Sequence, residues 1–138
     1  MLTDSLVPGS LTGCKHANGR DWWLLAHQYN SNMYYKYLVT PIGIQGPSIQ
    51  NIGAIKYSGV EQEAFSSDGK KFAIYEPGWN DLDIFDFDRC SGVFSNPIHI
   101  NFIDSAYIGG VAFSPNSNIL YVASTSYVYQ FDLTAPNV

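Results

Sequence analysis

The stretch TGCKHANGRDWWLLAHQYN, from Thr12 to Asn30, gathers a thiol, an imidazole, an amide, a guanidinium and a carboxylate. Cys14 and His16 are two apart, so on a strand they share one face, as a thiolate nucleophile and its base would need. A second stretch, NDLDIFDFD, carries Asp81, Asp83, Asp86 and Asp88 and raises calcium. An EF-hand loop needs DxDxDG spacing closed by a glutamate, which is missing, so a solvated strand face is the plainer reading. His16, His27 and His99 have no metal-ligand spacing among themselves and read as hydrogen-bonded strand or turn histidines. No GxSxG, HExxH, P-loop or dinucleotide fingerprint occurs, and GIQGPSIQNIG is not followed by a helix that could cradle phosphate. These residues call for no catalytic group, no metal and no cofactor.

The elements that must position such residues are strands. Charged residues make up 14% of the 138, with 21 aromatics among them (10 Tyr, 8 Phe, 3 Trp), a balance that suits sheets better than helices. No long window shows the i, i+3, i+4, i+7 stripe of an amphipathic helix. The formal charge is −5 and the 7 Lys and Arg are scattered, which excludes the clustered cations of a nucleic-acid surface. No apolar run approaches the roughly 20 residues of a membrane span. The opening MLTDSLVPGS has neither a basic nor an apolar signal region.

Aligning the chain with itself reveals a repeat. CKHANGRDWWLLAH from Cys14 falls on AFSSDGKKFAIYEP from Ala64 and on AFSPNSNILYVAST from Ala112. Asn18-Gly19 matches Asp68-Gly69 and Asn116-Ser117, residues that suit tight turns between strands. Trp22 falls on Phe72 and Leu120, and is expected in the core with them. Further along, YYKYL, IFDFD and VYQFD correspond, pairing Tyr35, Phe85 and Tyr129, then Tyr37, Phe87 and Phe131. Residues two apart point to one face, so these aromatic pairs face one neighbour.

A period of about 40–50 residues with four strands per unit is the signature of a propeller blade. The expected fold class is therefore all-β: a partial β-propeller of about three four-stranded antiparallel blades. They fall approximately over residues 10–55, 56–105 and 106–138, the last incomplete. Propellers close with about 4–8 blades, so the chain is expected to be a piece of a longer protein, or a protomer that closes a ring with copies of itself.

With FSSDGKKFAIYE, LDIFDFD, GGVAFSPNSNILYVAS and YVYQFDL in view, the chain resembles YVTN- or WD-type propeller repeat proteins. CKHANGRDWWLLAH, SNMYYKYLVTP, FDFDRCSGVFSNPI and GGVAFSPNSNILYV are also similar to the secreted propeller modules of bacteria that export by the type IX system. The resemblance implies an extracellular or cell-surface module whose partner is a protein or a carbohydrate. Its neighbours would be further blades of the same parent chain or other protomers.

The repeat also disposes of the opening cluster. His16 occupies the slot of Ser66 and Ser114, and Cys14 that of Ala64 and Ala112, so the cluster is a turn before a strand, with Arg20 and Asp21 exposed on it. Cys90 belongs to an outer turn several strands away, so both thiols should remain unlinked. Propeller resemblance directs attention to the loops 30–32, 57–63, 76–81, 103–110 and 124–126 as one face. There Trp79, Asn80 and Asp81, with Glu61 and Tyr107, are the candidate ligand-binding residues: an exposed Trp could stack on a sugar while its polar neighbours bond the hydroxyls. The alternative is a Trp79 folded back over the adjacent blade. The expected function is a non-catalytic propeller module for protein or glycan interaction. The alternatives are a fragment of a lactonase-like propeller hydrolase completed by other blades, or a self-associating lectin.

Overall fold

The structure is a computed structural model that describes residues 4–57, 59–79, 81–102, 104 and 107–136. It is all-β. Sheet 1 comprises β1 (Leu6–Lys15), β2 (Trp22–Gln28), β3 (Ser31–Thr40) and β4 (Gly43–Lys56). Sheet 2 comprises β5 (Gln62–Phe65), β6 (Lys71–Glu76), β7 (Asp81–Asp88) and β8 (Val93–Asn101), with a single 3-10 turn, Pro77–Trp79, between β6 and β7. Sheet 3 comprises β9 (Gly110–Phe113), β10 (Ile119–Ala123) and β11 (Val128–Asp132). In each sheet the strands lie in chain order and every neighbouring pair is antiparallel. The first strands β1, β5 and β9 lie side by side in succession, and β4 packs on β8, which makes the assembly a partial propeller.

The first turn of each sheet shows how the repeated sequence writes repeated structure. Gly19, Gly69 and Ser117 all take positive φ, at 73°, 69° and 63°. Their N–H groups donate to the carbonyls of His16, Ser66 and Ser114. The side-chain oxygens of Asn18, Asp68 and Asn116 accept from the N–H groups of Arg20, Lys70 and Asn118. An Asn or Asp that bonds backbone two residues on, followed by a residue in the left-handed region, is what turns the chain in so few residues. Asp21 departs from the expected exposure: Arg20 and Asn18 hold its carboxylate, and it is buried against the turn.

Alternation along the strands gives each sheet two apolar faces. Phe72, Ile74, Phe85 and Phe87 of sheet 2 pack toward sheet 1, against Cys14, Trp23, Leu25 and Tyr34. Ala73, Tyr75, Leu82 and Ile84 pack toward sheet 3, against Leu120 and Val122. The third-strand aromatics therefore look back toward the preceding sheet, Phe85 and Phe87 in sheet 2 and Tyr129 and Phe131 in sheet 3. The same parity turns Trp22 of sheet 1 away from sheet 2. It is 47% exposed, whereas Trp23 is 7% exposed and fills the junction. Trp22 is thus not the core residue that alignment with Phe72 predicts, because nothing among the described residues covers its face.

Candidate functional site

The turns described above gather at one end of the sheets, and the connections leaving β2, β4 and β6 gather at the other. That loop end carries an ionic band running through the junction of sheets 1 and 2. Its outer part is built on Lys56, the last residue of β4, and on Asp81 and Asp83 at the start of β7. Asp81 and Asp83 have the parity of Phe85 and Phe87, so their carboxylates point into the junction and not toward solvent. Lys56 is fully buried; its ammonium contacts the Asp81 carboxylate and lies 2.9 Å from Asp83 Oδ2. His99 from β8 adds Nδ1 at 2.7 Å from Asp83 Oδ1, and the Ala54 N–H donates to Asp83 Oδ2 at 2.9 Å. The expected solvated Asp face is thereby corrected for this pair. Asp86 and Asp88 are the half-exposed and exposed members, bonded to Lys71 and Ser91.

The inner part of the band is His27 at the end of β2, Glu61 before β5, Glu63 in β5 and Ser10 in β1. His27 and Glu61 are side by side, with Nδ1 2.9 Å from Oε2 and both side chains fully buried. Ser10 donates to the Glu63 carboxylate. Burial pushes the Glu63 carboxyl up to about 7, against the opposing pull of the Ser10 hydroxyl. Tyr34 packs on His27 with ring centroids 4.6 Å apart, and its phenol is held well above the usual range by burial and then by the charge of Glu63.

Above this band the loop end presents an aromatic pair. Trp79 is 61% exposed and Tyr57 52% exposed, with centroids 6.4 Å apart at 63°. The Trp79 backbone is fixed by Asn101 Nδ2 donating to its carbonyl, and the Tyr57 N–H donates to Glu76 Oε1 at 2.8 Å. Trp79 thus stands out from the surface and rests on Tyr57 by an edge. Of the other candidates, Asp81 and Glu61 lie inside, engaged by Lys56 and His27. Tyr107 is exposed on the loop after β8, and Asn80 lies outside the described residues. Sequence reading missed Tyr57, Lys56, Asp83, His99, His27 and Glu63 as partners in one place. Their spacing carries no motif because half come from each sheet.

Among the described residues, the opposite, hairpin end offers no comparable chemistry. A cleft of about 660 Å³ there is lined by Lys70, Lys71, Asp86, Asp88, Arg89 and Asn116 among others. Lys71 is paired with Asp86, and Arg89 gives its donors to the carbonyls of Lys15, His16 and Asp68. The Cys14 thiol is buried and pushed up to about 11, the reverse of what a nucleophile requires. Both cysteines are unlinked, as the strand spacing predicts. His16 Nε2 contacts the Cys90 carbonyl at 3.1 Å, so the opening cluster is a turn that braces one sheet on the next.

No family model matches the chain, and no curated protein matches it. Among solved structures it is similar to a protein from Bacteroides fragilis assigned as a 6-phosphogluconolactonase, with a TM-score of 0.64 and 14% identity. It is also similar to a structure of the fission yeast SREBP–SCAP binding domains, with a TM-score of 0.51 and 10% identity. These alignments cover 88% and 93% of this chain but only 34% and 36% of those chains. The chain therefore spans about a third of the length of the solved structures it matches, and what it shares with them is a fold, of propeller type in the first.

Proposed function

We propose that the chain is part of a non-catalytic β-propeller that binds a carbohydrate through its loop end, with Trp79 and Tyr57 as the stacking platform. The observation that carries this reading is Trp79 itself. A large aromatic side chain is 61% exposed on a backbone pinned by Asn101, with Tyr57 against its edge. Burying that ring would recover on the order of 2–3 kcal/mol, and a flat sugar face is a natural cover for it. Beneath it the Lys56 ammonium ties the end of β4 to Asp81 and Asp83 at the start of β7. Glycan-array binding followed by calorimetry tests the proposal. Trp79→Ala and Tyr57→Ala should each abolish or weaken binding at least tenfold while leaving the melting temperature unchanged. Binding that survives both substitutions would remove this platform from the account.

A second reading, a hydrolase whose site is completed by further blades, draws support from the 6-phosphogluconolactonase assignment of the Bacteroides fragilis neighbour. Lactone hydrolysis by the parent protein, lost on substitution at the loop end, would favour it over the binding module. An extracellular or cell-surface setting belongs to the same proposal and rests on the resemblance to type IX-exported modules. A self-associating lectin is the third form of the idea, and a stable monomer in solution would exclude it.

A further inference from the structure

The inner part of the ionic band contains a set of atoms with more capacity for bonding than the protein uses. Glu61 and Glu63 are two apart on extended chain and so present carboxylates on one side, while His27 comes from the facing sheet. One ligating atom from each of the three residues lies within 4.8 Å of the other two. His27 Nε2, Glu61 Oε1, Glu63 Oε2 and the Tyr34 hydroxyl are all buried and have no hydrogen-bond partner among the described residues. Four such atoms in one layer depart from the rule that buried polar groups are paired. The charge is equally unbalanced. Among the described residues neither glutamate forms an ion pair with a Lys or Arg, and the nearby Lys56 is taken by Asp81 and Asp83.

One imidazole nitrogen and two carboxylate oxygens form a donor set that suits zinc and its neighbours better than magnesium or calcium, which take oxygen alone. A tetrahedral zinc site with bonds of about 2.0–2.1 Å has ligand–ligand edges of roughly 3.3 Å, so modest rotation of the glutamate side chains would close the set. The other acidic group, Asp81, Asp83 and His99, already has a cation, because the Lys56 ammonium sits against both carboxylates. We propose that His27, Glu61 and Glu63 bind a divalent transition metal, with zinc as its type, and that the bound ion fastens sheet 1 to sheet 2 beside their inner strands. The Tyr34 hydroxyl, on the ring that packs against His27, is available as a fourth ligand or as a partner to one. The role is structural and independent of the Trp79 platform.

The test uses the 138-residue chain, stripped with chelator and titrated with zinc alone. Metal analysis after removal of unbound ion should give one zinc per chain, and cobalt in its place should show the visible absorption of a four-coordinate site. At a hundredfold excess over Kd the melting temperature should rise by about 9 °C. Glu61→Gln and Glu63→Gln, which keep size and hydrogen-bonding shape, should each weaken binding at least tenfold, with circular dichroism showing that the sheets persist. His99→Gln should retain the full equivalent. Failure to retain zinc, undiminished binding in both glutamine variants, or loss of zinc in His99→Gln would each overturn the assignment.

Discussion

Replacing Lys56 by methionine should be among the most damaging single changes in the chain. The side chain is fully buried, and its ammonium is the ion-pair partner of both Asp81 and Asp83. Methionine fills nearly the same volume, so the packing is kept while the charge is removed. Two carboxylates are then left in the junction with His99 and the Ala54 N–H beside them and no ammonium. Removing one partner of a buried ion pair costs about 3–5 kcal/mol, since the stranded charge must be protonated or hydrated. At an unfolding entropy of about 2.1 cal/mol/K per residue, 138 residues give about 0.29 kcal/mol/K, so the melting temperature should fall by roughly 10–17 °C. Urea unfolding at pH 7 should show the loss as a lower midpoint with an unchanged slope. The triple variant Lys56→Met, Asp81→Asn, Asp83→Asn should recover most of that loss, because it leaves amides in place of unpaired charges. A Lys56→Met chain within about 1 kcal/mol of the parent, or a triple variant no better than the single, would refute the ion-pair reasoning.

Four further outcomes are expected. Trp23→Ala should cost about 3–5 kcal/mol, because the ring fills the junction and bonds the Arg89 carbonyl, while Trp22→Ser should change chemical denaturation by less than about 0.5 kcal/mol. Gly92→Ala should destabilise by about 2–4 kcal/mol, since its φ is +70° and a Cβ would meet Trp23 at 2.6 Å, whereas Gly19→Ala, with φ +73° and open space, should lose only about 1 kcal/mol by thermal unfolding. At pH 8 an alkylating reagent should label Cys90 alone, as read by mass spectrometry, and Cys14 only on unfolding. The Cys14 thiol binds its proton more tightly folded than unfolded. Its contribution to stability should therefore fall as pH rises from 9.0 toward about 11.

The architecture was legible because it rests on local chemistry repeated at a fixed period. Asn18-Gly19, Asp68-Gly69 and Asn116-Ser117 announce the same turn, and the alternating third-strand aromatics announce a sheet with a neighbour. Trp22 was misplaced because alignment identifies the face a residue occupies and not whether that face is covered. The ionic band was illegible for a different reason. Asp83 has Tyr127 at its equivalent position in the third copy, so the repeat offers no second example of the pattern. Lys56 and Asp81 are 25 residues apart, and His27 and Glu61 are 34 apart, distances at which no motif is defined. What brings them together is the stacking of one sheet on the next. The exposure of Trp79 was legible because a tryptophan in EPGWND, flanked by turn and charged residues, has no obvious core to join.

The backward gaze of the third-strand aromatics gives each sheet a front and a rear of matching chemistry. A unit copied in tandem or deleted whole, between equivalent turns, makes one new seam, at which the apolar front of one sheet meets the aromatic rear of the next. The junction of sheets 1 and 2 is the exception. There the Lys56 ammonium of sheet 1 meets the Asp81 and Asp83 carboxylates of sheet 2, whereas at the next junction Tyr75, Phe102 and Tyr129 meet ring to ring. Exchange of sheets 2 and 3 would strand the Lys56 ammonium against aromatic rings, so the order of these units is written in their ionic seam.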